Sequence, residues 1–197
     1  MRHEFGATSD SPRHEHNDCA VIALANVTGL SYFECHARLQ LEGRRTGHST
    51  KFSMSVCALN KLKTDGVLSE IGKINTFGIH IATRSKTQID SFLKSCGGAQ
   101  LSDFSFKSYK PTVAQFLRTL PTTGRFYLAS STHAFAYVNG VLMDNIDGGK
   151  MRARMARCVE VKLAENVKTI TNQDMKELWA RLDKLESKLE GKLEGKL

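Results

Sequence analysis

Apolar positions in the first third of the chain recur at helical spacing and predict a lobe of three helices. The first helix follows Asn17 and Asp18, both strong N-cap residues, and its dense apolar stretch opens at Cys19. Ser31 begins a capping-box pattern, which predicts the start of the second helix. A third helix is predicted over residues 52–63, where the apolar residues fall on one side.

Short apolar runs replace this pattern in the second half of the chain. Residues 125–130, 133–138 and 141–145 each have the composition of a short strand. Asn139-Gly140 separates the last two runs, and this dipeptide between apolar runs is the strongest short-range signal for a β-hairpin. A small antiparallel sheet is therefore predicted here, which places the chain in the α+β class.

The region between the helical lobe and the hairpin is less regular. Residues 79–82 alternate loosely and predict a strand, whereas residues 90–110 carry no clear pattern. Thr112 and Gln115 have the spacing of a capping box, which predicts the start of one more helix.

The predicted hairpin allows an inference about which side chains share a face. With Asn139 and Gly140 as the two loop residues, Phe135 faces Asp144, and side chains alternate between faces along each strand. His133 then shares a face with Asp144 and lies diagonal to it, within reach of a polar side chain. A three-residue turn would shift the register and give this place to Asn145 instead; we prefer Asp144.

Cys19 and His133 together predict nucleophilic chemistry. Cys19 falls in the first turn of a helix, where unpaired N–H groups and the helix dipole favour a thiolate, the nucleophilic form of cysteine. A histidine beside a carboxylate can take the thiol proton, return it to a leaving group, and be oriented by the acid. The alternatives are that Cys19 is a small buried apolar residue and His133 an ordinary surface residue.

Composition narrows the class of protein. The chain has 197 residues, 41% of them apolar and 24% charged, which fits one globular domain with or without an appendage. Its five cysteines include no CxxC pair, the N-terminus has no apolar signal region, and no apolar run is long enough to span a membrane. We therefore expect free thiols, no membrane association and a cytoplasmic location.

The charge and the histidines suggest two further classes, neither of which is favoured. The net charge of +8 is spread thinly over residues 1–170 without a basic, aromatic-interleaved motif, so nucleic-acid binding is only an alternative. His14, His16 and Cys19 lack the paired ligands of a structural zinc site. No metal and no cofactor are predicted.

The two ends of the chain differ from the domain between them. Residues 1–16 are polar and predict a mobile N-terminal arm. Residues 171–197 carry equal numbers of acidic and basic residues and predict an amphipathic helix. Four of its leucines follow the spacing of a coiled-coil seam, which makes residues 175–190 a candidate for homo-oligomerisation. These leucines are Leu178, Leu182, Leu185 and Leu189.

Taken together, these stretches resemble the papain-like cysteine hydrolases, and in detail the small papain-like proteins of phage and plasmid open reading frames. The resemblance rests on the segments at residues 17–26, 29–32, 43–47, 112–116 and 133–144, and covers about residues 14–148. The order is that of the family, with the nucleophile on an early helix and the histidine and acid on late strands.

The resemblance implies a papain-like domain over residues 17–170, with an active site between the helical lobe and the sheet. It implies a cysteine peptidase or amide hydrolase that acts on a peptide or protein through a thioester, in the host cytoplasm if the protein is phage-encoded. Its catalytic residues would be Cys19, His133 and Asp144.

One feature departs from the family pattern. Papain-like enzymes usually carry a glutamine before the cysteine as an oxyanion donor, and this chain has none there. Asn17 is the nearest amide and the predicted donor, with His16 as a fallback. The departure keeps open an inactive papain-like protein that binds or inhibits a partner in a phage–host setting.

Overall fold

The structure is a computed structural model that describes residues 17–79, 84–143 and 151–165. The predicted arm over residues 1–16 and the predicted helix over residues 171–197, with its proposed coiled-coil seam, lie outside the described residues. None of the helices within the described ranges is both long and apolar enough to span a membrane.

Five α-helices and one short 3₁₀ turn form the helical part of the described chain. In chain order they are α1 Cys19–Thr28, α2 Tyr32–Leu41, α3 Phe52–Thr64, α4 Lys86–Ser95 and α5 Val113–Leu117, with the 3₁₀ turn at Leu101–Asp103 before the strand that follows α4. The predicted starts of the first three helices and of α5 are confirmed. Ser31 and Thr112 each accept a hydrogen bond in a complete capping box, at α2 and α5 respectively.

The strands form one mixed sheet of seven members. They are β1 Leu68–Ile71, β2 Ile74–Phe77, β3 Phe104–Lys107, β4 Arg125–Ser130, β5 Ala134–Val138, β6 Val141–Met143 and β7 Met155–Leu163. The order across the sheet is β3-β2-β7-β4-β5-β6, and β1 also pairs with β7. The protein is therefore an α+β protein, as predicted.

The prediction of a small antiparallel sheet is wrong in its size and in one pairing. β2 and β3 are parallel, which is possible because the chain between them crosses over through α4. β7, which the sequence did not indicate, pairs with β1, β2 and β4 and joins the two halves of the sheet.

The strand predicted at residues 79–82 is not confirmed. The apolar alternation of this region belongs instead to β1 and β2, which lie earlier in the chain, and Ile79 follows β2 outside any strand. Residues 80–83 lie outside the described residues.

The predicted hairpin is confirmed, with Asn139 and Gly140 as its two loop residues and with the predicted register over the described residues. Asn139 and Gly140 have φ values of 48° and 87°, and positive φ at both loop positions is the requirement of a type I′ turn. Val138 pairs with Val141, and Met143, the last residue of β6, pairs with Ala136.

The sheet separates two apolar clusters. On one face Tyr127 and Ala129 of β4 belong to the larger cluster, which includes α1, α2 and α3. On the other face Phe126 and Leu128 belong to a smaller cluster that includes α5. The alternation of β4 residues between the two clusters is the expected strand periodicity.

The helix α1 is almost entirely buried. It packs on β5 and α2, and Val21, Leu24 and Val27 have no exposed surface. A helix that is apolar on all sides belongs inside a protein. Its position is therefore determined by packing on several sides, which fixes the place of its first residue, Cys19.

Candidate active site

The first turn of α1 places Cys19 next to the first residue of β5. Asp18 is the N-cap residue, and its backbone carbonyl accepts hydrogen bonds from the N–H groups of Val21 and Ile22 at 2.8 and 3.1 Å. The side chain of Asp18 makes no capping hydrogen bond. The prediction that a helix begins at Cys19 is confirmed.

A tight turn positions His133 at the other side of the site. The N–H of Ser130 donates to the carbonyl of His133 at 2.8 Å, and the N–H of His133 donates to Oγ of Ser130 at 3.0 Å. These bonds close the connection between β4 and β5, so His133 lies one residue before β5 rather than at its first position. The His133 side chain is buried, with 7% of its surface exposed.

The structure brings Cys19 and His133 together. The side chain of His133 and the backbone N–H groups of Ala134 and Ala20 approach the thiol of Cys19 closely enough to lower its pKa by hydrogen bonding. Ala134 is the first residue of β5, on which α1 packs. The contact between the two elements therefore aligns nucleophile and base.

The electrostatics of this contact favour the thiolate. Burial raises the pKa of the Cys19 thiol, but the hydrogen bond and the charge interaction with His133, with the N–H of Ala134, outweigh it. The pKa of Cys19 therefore lies below its ordinary value. Because the thiolate is the nucleophilic form, this environment increases the reactivity of the sulfur.

The other four cysteines have the opposite environment. All five cysteines lie in the described part of the chain, and Cys19 is the one whose pKa is lowered. Burial raises the pKa of Cys35 to about 12, and burial also raises the pKa of Cys57, Cys96 and Cys158. Position next to His133, and not cysteine chemistry in general, distinguishes Cys19.

A buried hydroxyl pair lies near the sulfur. The hydroxyls of Tyr127 and Ser55 are hydrogen-bonded at 2.9 Å. Burial raises the pKa of Tyr127, the bond with Ser55 lowers it, and the nearby Cys19 raises it again, with a net increase. Tyr127 therefore stays neutral near the thiol and brings no competing negative charge. The sequence carried no signal for this pair, because its members are 72 positions apart.

Asn17 connects the site to the loop before α3. Its backbone is left-handed, with φ of 65°, and its amide Nδ2 donates to the carbonyl of Gly47 at 3.1 Å. One N–H of the amide is thus engaged with the loop. The role of Asn17 as an oxyanion donor stays a prediction.

Asp18 has a structural role that the sequence did not reveal. Its side chain is buried, with 5% exposed, although carboxylates are rarely buried. The hydroxyl of Tyr32 in α2 donates to Oδ2 of Asp18 at 3.4 Å. This bond connects α2 to the residue that precedes Cys19 at the start of α1.

Arg125 holds α1 at its other end. Its Nη1 donates to the carbonyls of Asn26 and Val27 at 2.9 and 3.2 Å. These carbonyls belong to the last turn of the helix, where a positive charge also interacts favourably with the helix dipole. α1 is therefore attached to β4 at its C-terminal end and to β5 at its N-terminal end.

Three predicted site residues cannot be placed. Asp144, its alternative Asn145 and the fallback donor His16 lie outside the described residues. Asp144 directly follows Met143, with which the described part of β6 ends. Its role stays a prediction.

Comparison with known proteins identifies no relative of this chain. No protein-family model matches the chain, and neither the curated proteins nor the solved structures searched gave a match. Within the described ranges, no group of three or more His, Cys, Asp and Glu side chains is arranged to hold a metal ion. The function is therefore inferred from the geometry around Cys19.

Proposed function

We propose that this protein is a papain-like cysteine hydrolase that cleaves an amide bond of a peptide or protein through a thioester on Cys19. The observation that carries the proposal is the close approach of the His133 side chain to the Cys19 thiol at the start of α1, where hydrogen bonding and charge lower the pKa of the thiol. A nucleophilic side chain within hydrogen-bonding reach of a base is the arrangement expected of an enzyme that works through a covalent intermediate.

In the first half of the reaction, His133 accepts the thiol proton as the Cys19 sulfur attacks the substrate carbonyl carbon. The carbonyl π electrons move to oxygen and form an oxyanion. When the oxyanion collapses, the C–N bond breaks, and His133 gives the proton to the departing amine. The acyl group remains on Cys19 as a thioester.

In the second half, His133 acts first as a base and then returns the proton. It takes a proton from water as the water oxygen attacks the thioester carbon. The C–S bond then breaks, the carboxylic acid leaves, and the Cys19–His133 pair is restored. An amine in place of water would give transfer instead of hydrolysis with the same residues.

The oxyanion would form beside the first turn of α1. We assign the backbone N–H of Cys19 as one donor and the amide of Asn17 as the second. Asn17 keeps a second amide N–H beyond the one donated to Gly47. Asn17 lies two residues before the nucleophile, and its backbone has a left-handed conformation.

We assign Asp144 as the group that orients His133. The support is the observed hairpin register, in which Met143 pairs with Ala136 and Tyr137 pairs with Leu142. The rings of His133 and Phe135 lie 5.7 Å apart, and Phe135 is the residue that the sequence-based register sets opposite Asp144.

The papain-like assignment rests on the arrangement of elements. A buried helix that begins at the nucleophile packs on a strand directly preceded by the histidine, and a hairpin then leads to the proposed acid. The chain order of nucleophile, base and acid agrees with that of the family.

The proposal is tested by the pH dependence of thiol alkylation. Iodoacetamide labelling of each cysteine is followed by mass spectrometry in the wild type and in His133→Ala. We expect Cys19 to react with a midpoint below about pH 8.5, the pKa of an unperturbed thiol. In His133→Ala this midpoint should rise, because the burial that remains raises the pKa.

The control is His36→Ala, which removes a half-buried histidine of α2 that stacks on Tyr32. It should leave the Cys19 profile unchanged. Cys57, which is partly exposed, provides an internal comparison in every sample. The proposed hydrolase would be refuted if Cys19 were alkylated no faster than Cys57, or if its pH midpoint were unchanged in His133→Ala.

A second candidate function is a papain-like module that binds a partner without catalysis. It is favoured by the bond that engages the Asn17 amide with Gly47, together with the missing glutamine. This candidate predicts a Cys19 of ordinary reactivity, so the same alkylation experiment separates the two.

A further inference from the structure

A cavity of about 190 Å³ lies between α4 and the end of the sheet. It is mostly apolar, with Phe92 and Ile89 of α4 and Phe106 of β3 on its walls. Arg84 and Arg157 bring two guanidinium groups, and no Asp or Glu is among its described lining residues. An apolar cavity with positive charge alone is suited to a ligand that carries a negative group.

Arg157 is the unusual residue of this cavity. Its guanidinium lies over the ring of Phe52 at 4.8 Å and over the ring of Phe92 at 5.9 Å. Its Nε is buried and has no hydrogen-bond partner among the described residues. Burial lowers the pKa of Arg157, but a guanidinium remains charged in proteins.

A second buried polar atom lies beside it. Thr76 of β2 is the cross-strand partner of Arg157, and its hydroxyl is buried without a hydrogen-bond partner within the described ranges. Leaving buried polar groups unsatisfied destabilises the folded protein. Ring contacts compensate part of the cost for Arg157. Arg157, unlike Thr76, lines the cavity, so a carboxylate bound there could accept a hydrogen bond from its guanidinium.

The cavity and the nucleophile lie at the same end and on the same face of the sheet. Ala134, whose N–H donates to the Cys19 sulfur, pairs with Ala129, and Ala129 pairs with Arg157. Directly paired residues point to one face, and neighbouring strands are about 4.8 Å apart. Arg157 is therefore about 10 Å from Ala134 across two strand spacings.

The cavity wall formed by β3 lies further across the sheet than Arg157, so one extended peptide of roughly three or more residues would be needed to reach both places. An extended chain advances about 3.3 Å per residue, so about 10 Å corresponds to roughly three residues. The cavity is smaller than the roughly 300 Å³ at which small-molecule sites begin, and it suits a single side chain better than a whole cofactor.

We propose that this cavity is a recognition pocket for an acidic side chain of the peptide substrate, with Arg157 as the specificity-determining residue. The substrate carboxylate accepts hydrogen bonds from the Arg157 guanidinium, and its methylene groups contact Phe92 and Phe106. The proposal rests on the proposed hydrolase, since it is the Cys19 site that makes the bound peptide a substrate.

Binding of two isosteric peptides tests the pocket without requiring turnover. The probes are capped tetrapeptide amides of alanine with one Glu, or one Gln, walked through the four positions. Dissociation constants are measured by NMR titration of the full chain carrying Cys19→Ala. We expect at least one Glu peptide to bind about ten-fold more tightly than its Gln counterpart, because charge-assisted hydrogen bonds are stronger than neutral ones.

Arg157→Met should abolish this preference, and Arg157→Lys should retain part of it because the charge remains. Arg118→Met is the matched control, since Arg118 is exposed at the end of α5, outside the cavity lining. Thermal unfolding verifies that each variant is folded. If Arg157→Met does not fold, Arg84→Gln replaces it and should weaken the preference.

The outcomes separate this pocket from the proposed chemistry. Equal binding of every Glu and Gln pair, or a Glu preference unchanged in the folded Arg157 variant, would overturn the pocket whatever the reactivity of Cys19. A Glu preference that depends on Arg157, together with a Cys19 of ordinary reactivity, would instead uphold the pocket and reject the hydrolase.

Discussion

The helices α1 and α2 are neighbours of equal length, yet they begin in different ways. At α2, Ser31 accepts a hydrogen bond from the N–H of Glu34 at 3.2 Å, and Glu34 accepts one from the N–H of Ser31 at 3.0 Å. At α1, no side chain caps the first turn, and the N–H of Ala20 donates to the Cys19 sulfur. One helix start stabilises the helix, and the other stabilises a thiolate.

The same contrast separates their cysteines. Cys35 lies inside α2 with no exposed surface, and the hydroxyl of Thr28 is 3.7 Å from its sulfur. Burial raises the pKa of both Cys35 and Cys19, but only Cys19 has a histidine and N–H groups that reverse the effect. A cysteine becomes a candidate nucleophile through its hydrogen-bond partners.

The largest expected effect is the difference in alkylation between these two cysteines. The pKa of Cys35 is raised to about 12, and that of Cys19 is below its ordinary value, so their thiolate fractions at pH 7 should differ by more than roughly 1000-fold. Iodoacetamide labelling at pH 7, resolved by peptide mass spectrometry, measures the ratio of the rates, to which the complete burial of Cys35 contributes in the same direction. Comparable rates in the folded protein would remove the contrast.

The next prediction concerns stability and tests the difference in burial between α1 and α2. Leu24 of α1 has no exposed surface, so Leu24→Ala should lower the free energy of unfolding by about 2–5 kcal/mol. Leu41, the last residue of α2, is 78% exposed, and Leu41→Ala should change it by less than about 0.5 kcal/mol. Urea denaturation measures both, and similar losses would contradict the burial of α1.

A smaller effect is expected at the capped helix start. Ser31→Ala removes the side-chain acceptor of the α2 capping box and should lower the free energy of unfolding by about 1 kcal/mol. Ser31→Asp is the control, because aspartate is an equally good capping residue and should preserve stability. Urea denaturation of the two variants decides the matter; a loss shared equally by both would show that the cap is not the cause.

The smallest effect is a pH dependence of stability at Cys19. Its folded-state pKa is lowered, so the stability contributed by the ionised thiol is present above the unfolded pKa of about 8.5 and lost as pH falls through the folded pKa. Wild type should therefore gain stability relative to Cys19→Ala as pH rises from about 6 to about 9. The comparison uses urea denaturation across that range, and a constant difference would argue against the lowered pKa.

Local signals predicted the parts of the fold that depend on neighbouring residues. Capping residues marked the starts of α2 and α5, and Asn139-Gly140 fixed both the turn type and the register of the hairpin. These features depend on a few adjacent positions, where the chemistry of one side chain determines the backbone.

The parts of the fold that the sequence did not predict depend on pairing between residues that are distant along the chain. β7 mixes charged and apolar residues, and its partners are up to about a hundred positions away, so its central place was not evident. α4 did carry a signal, the Ser85 and Gln88 capping box, within a stretch that otherwise lacked pattern. The parallel pairing of β2 with β3 follows from that helix.

In the candidate site, too, the sequence predicted the features that depend on local signals and not those that depend on distant contacts. The position of Cys19 at a helix start and of His133 beside a strand followed from sequence, and the structure brings the two side chains together. The bond from Asn17 to Gly47, the Tyr127–Ser55 pair and the unsatisfied Arg157 depend on contacts that no local pattern indicates.

The attachment of α1 by Arg125 means that the position of the sulfur can be adjusted from a distance. The helix has ten residues and is about 15 Å long, and the guanidinium holds its far end at two carbonyls. Shortening that side chain would leave the two carbonyls without this donor and would loosen the last turn of a helix that packing otherwise holds in place, without altering any residue around the thiol. Position 125 is therefore a place where evolution or an engineer could tune the chemistry of this protein while leaving its reacting groups untouched.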